Sequence, residues 1–154
     1  DYCNIHIWPY NWGWAKKDSL MLNMQRAKDL TKEYLDRHLD ICTKINKPLV
    51  MEEFGYPRDG VSFSKQSSTT ARDAYYSYVF SLLADDLAKG GYLQGCNFWG
   101  WGGYAQPKHE QWVPGDDYMC DPPQEPQGLY SVFSTDKSTI NVIKASISNL
   151  PKRK

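Results

Sequence analysis

Apolar residues along the chain recur in three rounds of one theme. Each round has a short run of β character, a stretch of glycine, proline and aromatic residues, and then a longer segment whose apolar positions return every three or four residues. The first strand is predicted from Cys3 to Trp8, followed by a loop from Pro9 to about Leu22 and a helix from Met24 to Ile45. In that helix Ala27, Leu30, Tyr34, Ile41 and Ile45, with Leu35, Leu39 and Cys42 beside them, form one stripe. Asn46-Lys47-Pro48 ends it. The second strand runs from Pro48 to Glu53, apolar at Leu49, Val50 and Met51 until it meets two carboxylates, as expected of a strand covered on both faces up to an exposed C-terminal end. The next helix is predicted from Thr70, spaced from Asp73 as in a capping box, to about Lys89, with Ala74, Tyr75, Tyr78, Val79, Leu82 and Leu83 inward and Gly90-Gly91 as its stop.

The third strand is predicted from Tyr92 to Trp99. A long loop from Gly100 to Gln127 follows, then a short apolar piece, Leu129 to Phe133, and a last helix from Ser138 to Leu150 with Ile140, Ile143, Ile147 and Leu150 on one face. Pro151 to Lys154 reads as a solvated basic tail. Strand alternating with helix is the rhythm of a parallel α/β sheet. Three such units leave two open edges, so the expected architecture is the C-terminal three β-α units of a (β/α)8 TIM barrel, residues 1–154 forming part of one domain whose N-terminal strands lie outside this chain. A small doubly wound sheet is the competing fold, but no glycine-rich phosphate loop follows any strand.

The 154 residues hold 18 basic and 18 acidic side chains, which cancel, so no field draws the chain to nucleic acid or an anionic membrane. No apolar run reaches the ~18 residues needed to span a bilayer. Asp1-Tyr2-Cys3-Asn4 is not a signal peptide, and a secreted, periplasmic or cell-surface location would have to be encoded upstream. Cys3, Cys42, Cys96 and Cys120 show no metal-ligand spacing, and the strand order places Cys3 and Cys96 beyond disulfide reach. All four are read as free thiols, with no metal and no cofactor expected.

Aromatic content changes the picture. Six tryptophans, at positions 8, 12, 14, 99, 101 and 112, lie in or beside loops rather than in helices. Single loop tryptophans commonly staple a loop to the domain. Two clusters after two strands point to a sugar-binding cleft, since the apolar face of a pyranose stacks on an indole. Alternation puts Asn4, His6 and Trp8 on one face of the first strand, Leu49, Met51 and Glu53 on one face of the second, and Asn97, Trp99 and Trp101 on one face of the third. Glu52 and Glu53, being adjacent, should then point to opposite faces, leaving one of them for the cleft.

Met51-Glu52-Glu53-Phe54-Gly55 resembles the strand-7 signature of glycoside hydrolase family 5, in which the Glu before Phe-Gly is the nucleophile; the resemblance implies that role for Glu53. His6-Ile7-Trp8-Pro9-Tyr10-Asn11-Trp12 is similar to strand 6 of that family's mannanases, Asn97-Phe98-Trp99-Gly100-Trp101-Gly102-Gly103 to strand 8, and Asp121 to Gly128 to the loop after it. The implied activity is endo-acting, retaining hydrolysis of β-1,4-mannosidic bonds in mannan, glucomannan or galactomannan. Another β-1,4-glycanase or a non-catalytic sugar-binding fragment are the alternatives. In this reading His6 hydrogen-bonds the attacking carboxylate, Trp99 floors the sugar ring, and Trp8, Asn11, Trp12, Trp101, Asp121 and Glu125 make further substrate contacts.

Two departures from the family pattern stand out. Trp8 occupies the place of a tyrosine that bonds the nucleophile, so an indole N–H would donate there or the contact would be missing. The Asn-Glu-Pro motif that carries the acid/base carboxylate is not in this chain, which makes the N-terminal part of the barrel its necessary partner and predicts that the chain alone is inactive. It also predicts that Ile5, Ile7, Leu49 and Met51, read as inner-face residues, lack an opposing wall.

Overall fold

In the computed structural model, which describes residues 1–151, the chain is a three-stranded parallel sheet backed by helices. Strands β1 (Cys3–Ile7), β2 (Leu49–Phe54) and β3 (Leu93–Phe98) lie in the order β1-β2-β3, each pair parallel, with α1 (Met24–Lys44) and α2 (Thr70–Ala88) as crossovers. The long segment after β3 is not wholly irregular. Trp101–Gly103 (β4) pairs in parallel with Val132–Phe133 (β5), and α3 (Lys137–Ser148) then packs against α2. The basic tail beyond Pro151 lies outside the described residues. All four cysteines are free thiols, and no helix among the described residues is long and apolar enough to cross a membrane.

The core lies between sheet and helices, and it decides which strand face is which. Ile5, Ile7, Leu49, Met51 and Phe54 are all buried there with Leu35, Tyr75, Val79 and Phe80. The expectation that Ile5, Ile7, Leu49 and Met51 face an unwalled interior is thus corrected. The face turned away from the helices carries Tyr2, Asn4 and His6, all exposed, together with Glu52 and Glu53. Helix α1 is rotated from its sequence stripe: Met24, Ala27, Thr31, Leu35 and Cys42 are buried, whereas Ile41 and Ile45 are about half exposed, at 53% and 54%. In α2 the buried face adds Arg72, Tyr76 and Phe80 to the expected residues, and Phe54 meets Tyr76 and Phe80 edge-on with ring centres 4.9 and 5.7 Å away.

The start of α2 also differs from the capping box read at Thr70 and Asp73. Thr69 occupies the N-cap position, and the free backbone N–H groups are taken by a residue eleven positions upstream. Asp59 Oδ2 accepts from Thr70 N at 3.0 Å and Oδ1 from Ala71 N at 2.8 Å, while Ser68 Oγ donates to Oδ2 at 2.6 Å. Burial pushes the Asp59 carboxyl up, but the bonds from Ser68, Ala71 and Thr70 together outweigh it and leave it below the ordinary carboxylate range. Removing such a cap typically destabilises by about 0.5–2 kcal/mol. Because the folded carboxyl titrates lower than the unfolded one, its stabilisation is fully present above the unfolded pKa and disappears as pH falls through the folded pKa. Asp59→Ala in the complete protein is expected to lower the melting temperature at neutral pH. The gap between variant and wild type should close as the pH is taken down through the acidic carboxylate range, which thermal melts across a pH series would show.

Candidate active site

β1 and β2 end side by side, and each delivers a polar or aromatic residue at its C-terminal end. His6 Nδ1 lies 3.1 Å from Glu53 Oε2, and the Glu53 side chain is about a quarter exposed, at 26%. Among the described residues the Trp8 indole N–H makes no bond to this carboxylate, so His6 alone partners it and the tyrosine contact of the family pattern is not replaced by Trp8.

A cavity of about 340 Å³ opens beside Glu53, lined by Trp8, Asn11, Trp12, Trp99, Pro122 and Glu125. The sequence thus named most of its wall. Depressions of comparable size, about 420, 360 and 370 Å³, lie elsewhere; the first two are lined by no carboxylate and the third, beside Asp73 and Asp136, by no aromatic ring, so the pairing of carboxylate with indoles rather than size singles out this one. Its aromatic walls are held by other rings. Trp8 meets Trp99 edge-on at 6.2 Å and Tyr130 at 4.8 Å; Trp12, 40% exposed, is braced by Trp14 at 4.9 Å and by Tyr34 of α1 at 5.3 Å. Gly55 has a reason to follow Phe54: a Cβ there would stand 2.7 Å from the Trp8 ring and 2.8 Å from Tyr130.

Two expected contacts are placed differently. Asp121 is only 3% exposed, and its carboxylate accepts from Gly128 N and Tyr130 N, both at 2.8 Å, and from Ser131 Oγ. It fastens its own loop from within and, unlike Glu125, does not line the cavity expected from the sequence. Trp101, 55% exposed on β4, is absent from the cavity wall. Glu125 does reach the cavity, and burial, helped by the charge of Asp121, raises its pKa.

Sequence reasoning missed Tyr130 and Pro122. Tyr130 is buried, packs on Trp8 and donates from Oη to Asn11 Oδ1, fixing both cavity residues. Its position just after Gly128 was the available signal: with φ at +93° and a Cβ that would stand 2.7 Å from the Phe63 carbonyl oxygen, Gly128 marks a tightly built loop end rather than a linker. Tyr2 was also passed over, though it stands two positions before Asn4 and His6, which alternation had placed on one face of the first strand.

Comparison with known proteins places the chain in a family. The model of the glycoside hydrolase family 5 beta-mannosidase-like group matches residues 1–154. Mannan endo-1,4-beta-mannosidase 1 of Oryza sativa subsp. japonica is 27% identical over 151 residues, covering 97% of this chain and 29% of the relative. Mannan endo-1,4-beta-mannosidase 3 of Arabidopsis thaliana is 29% identical over 100 residues, 64% of this chain and 22% of its own length. The crystal structure of a family 5 mannosidase from Rhizomucor miehei superposes with a TM-score of 0.86 at 31% identity, covering 97% of this chain and 37% of that one. The endo-beta-1,4-mannanase of Thermotoga petrophila shares the fold, with a TM-score of 0.55 at 22% identity, over 96% of this chain and 26% of that one. The chain therefore spans less than a third of the curated relatives it matches, and over its whole length it belongs to the beta-mannosidase-like group of glycoside hydrolase family 5.

Proposed function

We propose that this chain contributes the nucleophile, Glu53, to a retaining glycoside hydrolase that cleaves β-1,4-mannosidic bonds in mannan, glucomannan or galactomannan. The observation that carries the reading is a carboxylate at a strand end, 3.1 Å from His6 and opening onto a cavity walled by Trp8, Trp12 and Trp99. A purely sugar-binding surface would use the indoles but has no need of the carboxylate.

In double displacement a Glu53 oxygen attacks the anomeric carbon while the glycosidic oxygen leaves with a proton from a general acid. Water then attacks the glycosyl ester, giving up a proton to the same group acting as base, and Glu53 is released. Two carboxyls about 5–5.5 Å apart are needed for this. We assign the second to the N-terminal part of a (β/α)8 barrel, of which β1, β2 and β3 with their helices form the last three units. A polymeric substrate fits a parent protein that works in the periplasm, at the cell surface or outside the cell.

Exo-acting mannosidase is a second reading, favoured by the family description and by the name of the Rhizomucor miehei protein, while the plant relatives are named as endo enzymes. Product analysis separates them. On β-1,4-mannan the complete protein is expected to release a ladder of mannooligosaccharides from the first minutes, whereas mannose alone from chain ends would establish the exo reading. Release from glucomannan or galactomannan should also exceed release from cellulose derivatives, the reverse preference identifying an endoglucanase.

Glu53→Gln in the complete protein should lower kcat by about three orders of magnitude or more without changing the melting curve. Undiminished turnover in that variant would remove Glu53 from the chemistry. The 154-residue chain by itself should release no sugar until the remaining strands are supplied as a second polypeptide, since loss of general acid catalysis alone typically removes about 10²- to 10⁴-fold in rate. Hydrolysis of mannan by the isolated chain would defeat this division of the two carboxyls.

A further inference from the structure

Glu52 and Glu53 are neighbours in sequence, and on an unbroken strand they would point to opposite faces. They do not. Against β1, the pair Ile5–Met51 is followed by His6–Glu53; against β3, Met51–Cys96 is followed by Phe54–Phe98. Both neighbours thus report one extra residue in β2 between Met51 and Phe54. Met51 and Phe54 are each completely buried on the helix side, and the two glutamates between them share the other face. An inserted residue of this kind re-aims the side chains beyond it, and without it a one-residue slip would exchange the faces.

In the unbulged register Glu53 would follow Leu49 and Met51 into the helix-side core, where an ionised carboxylate is strongly disfavoured. Something must hold the register that prevents this, and the residues around Glu52 supply it. Tyr2 Oη donates to Glu52 Oε1 at 2.6 Å and Asn4 Nδ2 donates to Oε2 at 2.8 Å. Two positions further along the same face of β1, His6 turns Nδ1 to Glu53 at 3.1 Å, with Nε2 3.9 Å from Glu52. Tyr2, just before β1, and Asn4 and His6 within it therefore read two consecutive carboxylates of the next strand, which only a bulged β2 can present. The Tyr2 phenol has its pKa raised, first by the bond to Glu52 and then by that carboxylate's charge.

We propose that Glu52 is the positioning residue of this site: its bonds to Tyr2 and Asn4 pin the bulge in β2 that turns Glu53 toward His6 and the cavity. The inference rests on Glu53 as nucleophile and adds a residue that acts through it. Glu52 touches no substrate in this scheme, so its removal should disturb attack geometry and leave the aromatic walls that bind sugar alone.

The test compares Glu52→Ala, Glu52→Gln and the double variant Tyr2→Phe/Asn4→Ala in the complete protein, with steady-state kinetics on mannooligosaccharides and thermal melts. Misplacing a reacting group by about 1 Å can lower rate about 10²-fold, so Glu52→Ala should lose between about 10- and 100-fold in kcat with KM within about twofold of wild type. Glu52→Gln should recover most of that loss, because its amide oxygen still accepts from Tyr2 and its amide N–H donates to Asn4 once that side chain turns over. The double variant, which keeps the carboxylate, should repeat the kcat loss of Glu52→Ala, and it decides the matter if Glu52→Ala melts too low to assay. An unchanged kcat in Glu52→Ala, a rise in KM alone, or equal damage from Gln and Ala would overturn the proposal, the last by making charge rather than hydrogen bonding the active property. Glu53→Gln separates the two levels: full activity there sinks the nucleophile reading itself, whereas loss there combined with a silent Glu52→Ala sinks only the positioning role.

Discussion

Arg72 sits on α2 with no exposure to water, and its guanidinium is satisfied almost wholly by backbone. Nε donates to the Tyr56 carbonyl at 2.9 Å, Nη1 to Ser131 at 3.0 Å and Nη2 to Leu129 at 2.8 Å, with Asp136 Oδ2 3.7 Å from Nη1. Burial pulls its pKa down, but a guanidinium stays charged in proteins, so those carbonyls must stay where they are. They belong to the turn after β2 and to the segment entering β5. One cation thereby fastens the loop that carries Pro122, Glu125 and Tyr130 to the strand that carries Glu53. Arg58, equally buried, extends the arrangement by pairing with Asp136 and donating to the Ser67 carbonyl at 3.1 Å.

Rigidity at the cavity follows from that fastening. Asp121 closes its loop from inside, Tyr130 is held by the Asp121 carboxylate at its N–H, and Tyr130 in turn fixes Trp8 by ring contact and Asn11 by a hydrogen bond. On the opposite wall Trp12 leans on Trp14 and on Tyr34, whose ring packs on His38 at 4.3 Å. Side chains locked by such contacts have little rotamer freedom left to lose when a ligand settles on them, which is the physical content of a preorganised site.

Much of this was legible in the sequence where a period or a strand end carried it. The three β-α units, the order of their strands, and Glu53, Trp8, Asn11, Trp12, Trp99 and Glu125 near one strand-end cavity follow from alternation and from motifs at strand termini. Strict alternation failed in β2, because the bulge depends on hydrogen bonds from Tyr2 and Asn4, nearly fifty residues away, that no local pattern encodes. It placed Glu53 with Leu49 and Met51, the face that turned out to be core. Arg72 was invisible for a related reason: an arginine counts as polar in any periodicity, and only the converging carbonyls make it a core residue. The cap on α2 comes from Asp59 across a loop, and β4 and β5 are too short to carry a period.

The separation of apolar and polar faces on the sheet has a bearing on how such a protein is assembled. Ile5, Ile7, Leu49, Met51 and Phe54 pack in one core with residues of α1 and α2, while the opposite face presents Tyr2, Asn4, His6, Glu52 and Glu53. Those groups are hydrated readily, so a layer of sheet and helices can gather its main core before anything covers the other face. Folding can then proceed by local crossovers of modest loop length, and in the barrel proposed above closure against further strands would be a late event that orders hydrogen bonds more than it buries oil.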